Sequence, residues 1–167
     1  MAEHRDPSRR GLLLASGALL VAGAMAPAAF AAANRFAASP WRRLSDADWR
    51  KRLTPAEFGE LRREETERPG SSPLLNEHRR GTFVCGGCGL PLFKSAWKFE
   101  SGAGWPSFYR AIDGAIGTKA DHLLLEERTE YHCARCLGHQ GHIFHDGPAP
   151  TGLRHCNNGL GLKFIPA

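Results

Sequence analysis

The chain has 167 residues, of which 42% are hydrophobic, and 22 Lys and Arg stand against 17 Asp and Glu. A formal charge of +5 with no long block of like charge argues against a nucleic-acid-binding tail, and the length suits a single domain with one modest core. No internal repeat or low-complexity stretch follows the N-terminal segment.

That segment, "SRRGLLLASGALLVAGAMAPAAFAAA", joins a twin-arginine pair (Arg9, Arg10) to an apolar run of small residues and Leu. Ala29-Phe30-Ala31 fits an A-x-A cleavage pattern, and a cut after Ala33 also fits. The run is near the roughly 18-residue threshold for a spanning helix, but it is rich in Gly and Ala and ends at a cleavage-like site. The expectation is a twin-arginine export signal over residues 1–31 that delivers residues 32–167 to the periplasm as one domain. An uncleaved anchor is the alternative; after cleavage no stable membrane span remains. Residues 1–31 hold three of the 22 basic and two of the 17 acidic residues, so the exported part carries about +4.

Two short helices come next. The mixed-charge stretch "WRRLSDADWRKRL" reads as a solvated helix face, capped by Ser45 with Asp48 at the third helical position. Thr54-Pro55-Ala56-Glu57 is a fuller start signal, and the second helix is expected through "AEFGELRREE". "ERPGSSPLLNEHRRG" is turn-rich and expected to hug the surface. From Gly81 onward the stretches "GTFVC", "LPLFKS", "HLLLEERTEYHC", "GHIFHD" and "GLKFIP", punctuated by Gly, Pro, Asp and Asn, predict short antiparallel strands. The fold class is therefore mainly β, behind short N-terminal helices.

Four of the five cysteines form two C-x-x-C pairs, Cys85 with Cys88 and Cys133 with Cys136, about 44 residues apart. Two such knuckles can complete a tetrahedral four-thiolate site, with Gly86, Gly87 and Gly89 giving the first turn its freedom. A closed site of this kind implies one structural zinc per chain, pinning distant strands together in a small domain. Disulfide or redox chemistry is the alternative in an exported protein.

Cys156, in "TGLRHCNNG", is left over. On a strand Arg154, Cys156 and Asn158 share a face, and a guanidinium beside a thiol favours the reactive thiolate. The residues point to a nucleophile, against the plainer reading of a buried structural cysteine. Leu160, Leu162 and Phe164 have the parity of Cys156, so a bulge is expected at Gly159 or Gly161. His139 and His142, three apart, can serve one site only if Gly141 breaks the strand; histidine is the default proton donor near neutral pH, and a metal at H-x-x-H is a weaker alternative. Trp105, between Gly104 and Pro106, offers a rigid aromatic face for a small apolar or cationic group, or else packs in the core.

Together, "ETERP", "RRGTFVCGGCGLPLF", "KFESGAGWPSF" and "HCARCLGHQGHIFHDGPAPTGLRHCNNGLGLKF" resemble the methionine-R-sulfoxide reductases of the B type, from about Trp49 to Phe164. The resemblance implies two small antiparallel sheets with a structural zinc far from the catalytic thiol. It implies reduction of the R epimer of methionine sulfoxide, mostly within oxidised proteins, as protein repair under oxidative stress. Carried over by motif, Cys156 matches the nucleophile and His142, with His139, the groups that protonate the sulfoxide oxygen. Asn158 and Arg154 match orienting residues, and Trp105 the ring on the substrate methyl. The thiol would become a sulfenic acid, and the implied partner is a thioredoxin-like or small-thiol reductant acting on a monomer.

The chain departs from the family pattern at four places. Ala103 stands where many members carry a resolving cysteine, which implies direct recycling by an external thiol. His155 and Asn157 replace an aromatic and an aliphatic residue, Gln140 lies in "HQGHIF", and Glu126 replaces a frequent Met. His155 and Asn157 are expected to face away from Cys156, as a polar surface suited to docking another protein. Three rival readings are a catalytically silent zinc-stapled β domain, a nucleic-acid zinc ribbon and a thiol peroxidase using Cys156.

Overall fold

A computed structural model describes residues 35–122 and 128–167. The export signal and its cut sites, and the departure at Glu126, lie outside the described residues. Among the described residues no helix is long and apolar enough to cross a membrane.

Both helix starts follow the sequence. Helix α1 (Asp46–Arg50) opens with a reciprocal capping box between Ser45 and Asp48, and α2 (Pro55–Arg63) with one between Thr54 and Glu57. Helix α2 ends two residues earlier than expected. Glu64 turns left-handed at φ 59°, and the Glu65 N–H returns to the Gly59 carbonyl, closing the last turn. Arg50 and Arg63 lie outward, Arg62 reaches in to the Cys136 carbonyl at 3.2 Å, and Trp49 and Leu61 are buried and bear on the first cysteine knuckle, where a Cβ on Gly87 would meet both.

Among the described residues nine strands follow in chain order: β1 (Gly81–Cys85), β2 (Pro91–Lys94), β3 (Lys98–Phe99), β4 (Ser107–Phe108), β5 (Ile116–Asp121), β6 (Arg128–Cys133), β7 (His139–Phe144), β8 (Arg154–Asn157) and β9 (Leu162–Pro166). They form two antiparallel sheets, one ordered β2-β1-β9 and the other β3-β4-β8-β7-β6-β5. Between the sheets lies an aromatic layer: Phe93 stacks on Phe108 at 4.1 Å, and Phe83 meets Phe108 and Phe164 at 5.0 Å each.

The chain leaves β8 through a 3-10 turn, Gly159–Gly161, and enters β9 in the other sheet. A bulge within one strand was the expectation; a turn that changes sheets is what occurs. Glycine is what lets the turn pack so closely, because Cβ atoms at Gly159 and Gly161 would run into Ser72 and the Glu60 carboxylate. The switch still delivers Leu162 to the core and sets Phe164 against it.

Candidate active site

Strand β8 puts Cys156 opposite His142 of β7 on one side and Ser107 of β4 on the other. Across β6 and β7 the register slips between Tyr131 and His132, so Gln140 is an extra residue on β7. Gly141 follows at φ 152°, with Cys156 backbone so close that a Cβ there would collide with its carbonyl. The break expected at Gly141 is present, and it brings the His139 and His142 rings to 5.6 Å on one side of the sheet. A cleft of about 180 Å³ opens over them, lined by Trp105, His139, His142, Cys156 and Asn158 among others.

Each histidine is held by a carboxylate. His142 Nε2 lies 2.8 Å from Asp121 Oδ2, which also accepts from Arg128 at 2.6 Å. His139 Nδ1 lies 2.8 Å from Glu130 Oε1, and His132 Nδ1 3.1 Å from Oε2. Burial alone would raise the Glu130 carboxyl, but the bonds from His132 and His139 outweigh it and hold the group at about 2. Burial pushes the His142 imidazole below its ordinary value, against the pull of Asp121, so this ring is neutral at pH 7.

The half-buried Cys156 thiol is pushed up by desolvation, and the opposing Arg154 guanidinium only partly offsets it. Arg154 thus favours the thiolate as expected, but burial outweighs it. Arg154 is committed elsewhere: its Nε and Nη2 donate to the two Asp146 oxygens at 2.8 Å each, and it lies over the Phe144 ring at 4.3 Å.

Away from the cleft, Cys85, Cys88, Cys133 and Cys136 are buried with their sulfurs all within 4.8 Å of one another. The Cys85–Cys136 and Cys88–Cys133 sulfurs are 3.6 and 3.5 Å apart. No disulfide joins them, and four thiolates about 2.3 Å from a central ion would sit roughly 3.8 Å apart, so the set fits a tetrahedral metal. Arg135 Nε donates to Cys88 Sγ at 3.3 Å and Gln140 Nε2 to Cys85 Sγ at 3.7 Å, offsetting thiolate charge. The centre is built from β1 and β6 and the knuckle turns after them.

The SelR domain family matches residues 53–166. The peptide methionine sulfoxide reductase MsrB of Leptospira interrogans serogroup Icterohaemorrhagiae serovar Lai (strain 56601) is 49% identical over 121 residues, covering 72% of this chain and 92% of the relative. The enzyme of the same name from Bradyrhizobium diazoefficiens is 48% identical over 123 residues, 73% and 88% of the two chains. Peptide methionine sulfoxide reductase B1, chloroplastic, of Arabidopsis thaliana is 42% identical over 134 residues, 80% of this chain and 64% of that one. The chain belongs to the peptide methionine sulfoxide reductase MsrB family.

In this MsrB-family chain the cleft gathers Cys156, His139, His142, Asn158 and Trp105, while Arg154 lines a separate hollow with its partner Asp146. The putting-together of the rest depends on residues that the sequence reading passed over. Asp121 ends a strand, β5, that was not expected at all, and Glu130 sits in a strand read only for its apolar content. The stretch "ETERP" crosses the site as a strap. The Glu67 carbonyl accepts from Trp105 Nε1 at 3.2 Å, its N–H faces Asn158 Oδ1 at 3.4 Å, and its carboxylate accepts from the Gly159 N–H at 2.6 Å. One residue thus fixes both the ring and the amide that line the cleft. His155 is turned from the cleft as expected, and Asn157 borders the cleft while its side chain bonds Tyr131 and Gln140; the two are buried at 5% and 0% exposure. They form no docking surface, because β4, β6 and the aromatic layer cover them.

Proposed function

We propose that this MsrB-family chain reduces the R epimer of methionine sulfoxide, in oxidised proteins, with Cys156 as nucleophile. The observation that carries the reading is the direct pairing of Cys156 with His142 at the floor of a cleft that also holds Trp105 and Asn158. A sulfoxide needs a soft nucleophile at sulfur, a proton at oxygen and an apolar seat for the methyl group, and the cleft supplies one of each.

Cys156 and His142 begin as thiol and neutral imidazole. His142 is tethered to Asp121 through Nε2, which leaves Nδ1 to take the thiol proton and pass it to the sulfoxide oxygen. The Cys156 sulfur attacks the sulfoxide sulfur, oxygen passes to cysteine, and methionine leaves with its sulfur reduced by two electrons. Cys156 becomes a sulfenic acid. His139 stands beside His142 with its ring held by Glu130, Asn158 orients the substrate, and Arg154 steadies the thiolate as it forms. Trp105, held through its indole N–H, faces the methyl group.

With Ala103 in the loop before Trp105 and the other four thiols in the metal centre, recycling falls to an external reductant. One thiol condenses with the sulfenic acid, releasing water and forming a mixed disulfide; a second releases Cys156. The donor is thioredoxin-like or a small thiol. The metal is one structural zinc per chain, held by Cys85, Cys88, Cys133 and Cys136, whose closed thiolate shell suits that ion; bound there it supplies a rigid cross-link and no chemistry at the cleft. Residues 1–31 act as a twin-arginine signal, on Arg9 and Arg10 and the small-residue run that follows.

The test gives zinc-loaded protein from Ala32 onward both epimers of a blocked methionine sulfoxide with dithiothreitol. Loss of the R epimer alone, abolished by Cys156→Ser, is expected. Folded protein that consumes neither epimer would overturn the reading, and an intramolecular disulfide at Cys156 after one turnover would overturn direct recycling.

A further inference from the structure

Behind the cleft, in the layer between the sheets, lie three polar side chains that the reaction does not use. Tyr131, Gln140 and Asn157 are each at 0% exposure. In register, Tyr131 of β6, Gly141 of β7 and Asn157 of β8 stand side by side, so the tyrosine hydroxyl reaches across β7. It donates to Asn157 Oδ1 at 2.6 Å and lies 3.4 Å from the Cys156 carbonyl. Asn157 Nδ2 donates to the Asn158 carbonyl at 2.7 Å and to Gln140 Oε1 at 3.3 Å. Gln140 Nε2 then donates to Cys85 Sγ at 3.7 Å.

The donors Tyr131, Asn157 and Gln140 run in series to a sulfur of the four-cysteine centre, while Tyr131 and Asn157 also tie the chain to backbone carbonyls of Cys156 and Asn158. A buried polar chain of this sort is costly when one member is unsatisfied and stiff when all are satisfied. Its last acceptor is strong only as a thiolate, which is the state a bound metal enforces. The position of Gln140 is no accident of packing either: it is the extra residue of the β7 slip, the same irregularity that lets His139 and His142 share the cleft.

We propose that Gln140, Asn157 and Tyr131 are positioning residues that couple the four-cysteine centre to the Cys156 strand, so that the setting of the thiol depends on Cys85 being metal-bound. The proposal rests on the reading of Cys156 as the nucleophile and of the four cysteines as the metal site. Both ends are therefore measured without turnover, as the rate of Cys156 alkylation by iodoacetamide and the rate of zinc loss to a chromogenic chelator.

Asn157 has no hydrogen bond to any of the four cysteines, yet Asn157→Leu is expected to speed zinc loss about fivefold, the effect of one lost hydrogen bond. Gln140→Leu should match it, and the double variant should be no worse than Gln140→Leu alone, because the links act in series. Tyr131→Phe removes one hydroxyl with no change of volume, which keeps a folded variant in hand. It should lower kcat about fivefold at unchanged KM and slow or speed Cys156 alkylation by a similar factor. Wild-type zinc loss in both Asn157→Leu and Tyr131→Phe would overturn the coupling, as would faster zinc loss in Gln140→Leu with Cys156 alkylation unchanged. Wild-type protein that holds no zinc at all would instead sink the metal reading, and the coupling with it. Normal coupling in protein that reduces no sulfoxide would leave the coupling standing and remove the proposed reaction.

Discussion

His142 and Cys156 are direct partners across the β7–β8 pair, and His142 is simultaneously anchored 2.8 Å from Asp121 at the end of β5. The imidazole is therefore held by a carboxylate on β5 independently of the strand that carries the thiol. His142→Gln should keep the fold and lower kcat by about 10²–10⁴, the usual weight of a positioned proton donor. Asp121→Asn should lower it less, since the ring and its neighbour remain. Single-turnover rates with a blocked R sulfoxide check both.

Gly141 is where the strand must break for the two histidines to meet. Gly141→Ala forces a Cβ against the Cys156 carbonyl, and no side-chain rotation relieves a clash with backbone. The variant should lose about 1–3 kcal/mol of stability, typical of overpacking, and most of its activity. Urea melts and kcat together test this, and a stable, active Gly141→Ala protein would contradict it.

Burial raises the Cys156 thiol and Arg154 opposes the rise. Alkylation of the resting enzyme should thus keep increasing with pH beyond the ordinary thiol range, and Arg154→Leu should move the midpoint higher still. A plateau below pH 8 in the wild type would mean that the guanidinium dominates instead.

Glu60, on α2, is buried with both carboxylate oxygens unpartnered and lies beside Gly161. Desolvation, reinforced by Glu67, holds its carboxyl well above the usual carboxylate range. A raised folded value means that the contribution to stability is whole below the unfolded value of 4.5 and is lost as pH rises from there toward the folded value. Glu60→Gln should flatten that loss and stabilise the protein at pH 8 by about 1–3 kcal/mol while changing little at pH 4. Urea midpoints at the two pH values decide the matter.

The cysteine centre joins β1 to the end of β6, and with them the two sheets. Cys133→Ser leaves three thiolates and an unmatched site, and stripping the metal under mild denaturant should act alike. Each should cost several kcal/mol, by analogy with other small metal-stapled domains. Thermal melts against metal content are the measurement.

Local chemistry made much of this fold legible. Caps at Ser45 and Thr54, the two cysteine knuckles and the apolar strands β1, β2, β7 and β9 are written in adjacent residues, and each was found where its signal lay, while the apolar part of "HLLLEERTEYHC" lies outside the described residues. What escaped was set by pairing at a distance. Strand β5 reads "IGTKAD", with five of its six residues at least partly exposed and little apolar content, and exists because β6 offers it an edge. Strands β3 and β4 are two residues each, below any period. In the site, Cys156, His139, His142, Asn158 and Trp105 carry their chemistry on their side chains and could be named from sequence. Glu67 fixes two of them largely through its main chain, which no residue type announces. Asn157 and His155 looked like surface because polar residues usually are; they are buried because Tyr131, Gln140 and Phe108 answer their hydrogen bonds.

Strand β1 pairs along its whole length with β9, from Gly81 opposite Pro166 to Cys85 opposite Leu162. The central strand of the smaller sheet thus waits, during synthesis, for the last-made strand of the domain. Until β9 has left the ribosome, β1 offers an open edge beside a half-made cysteine centre, a state suited to mispairing. Completion is therefore a late, all-at-once event, and a product cut short within β9 should be cleared as a misfolded chain rather than persist as a slow enzyme.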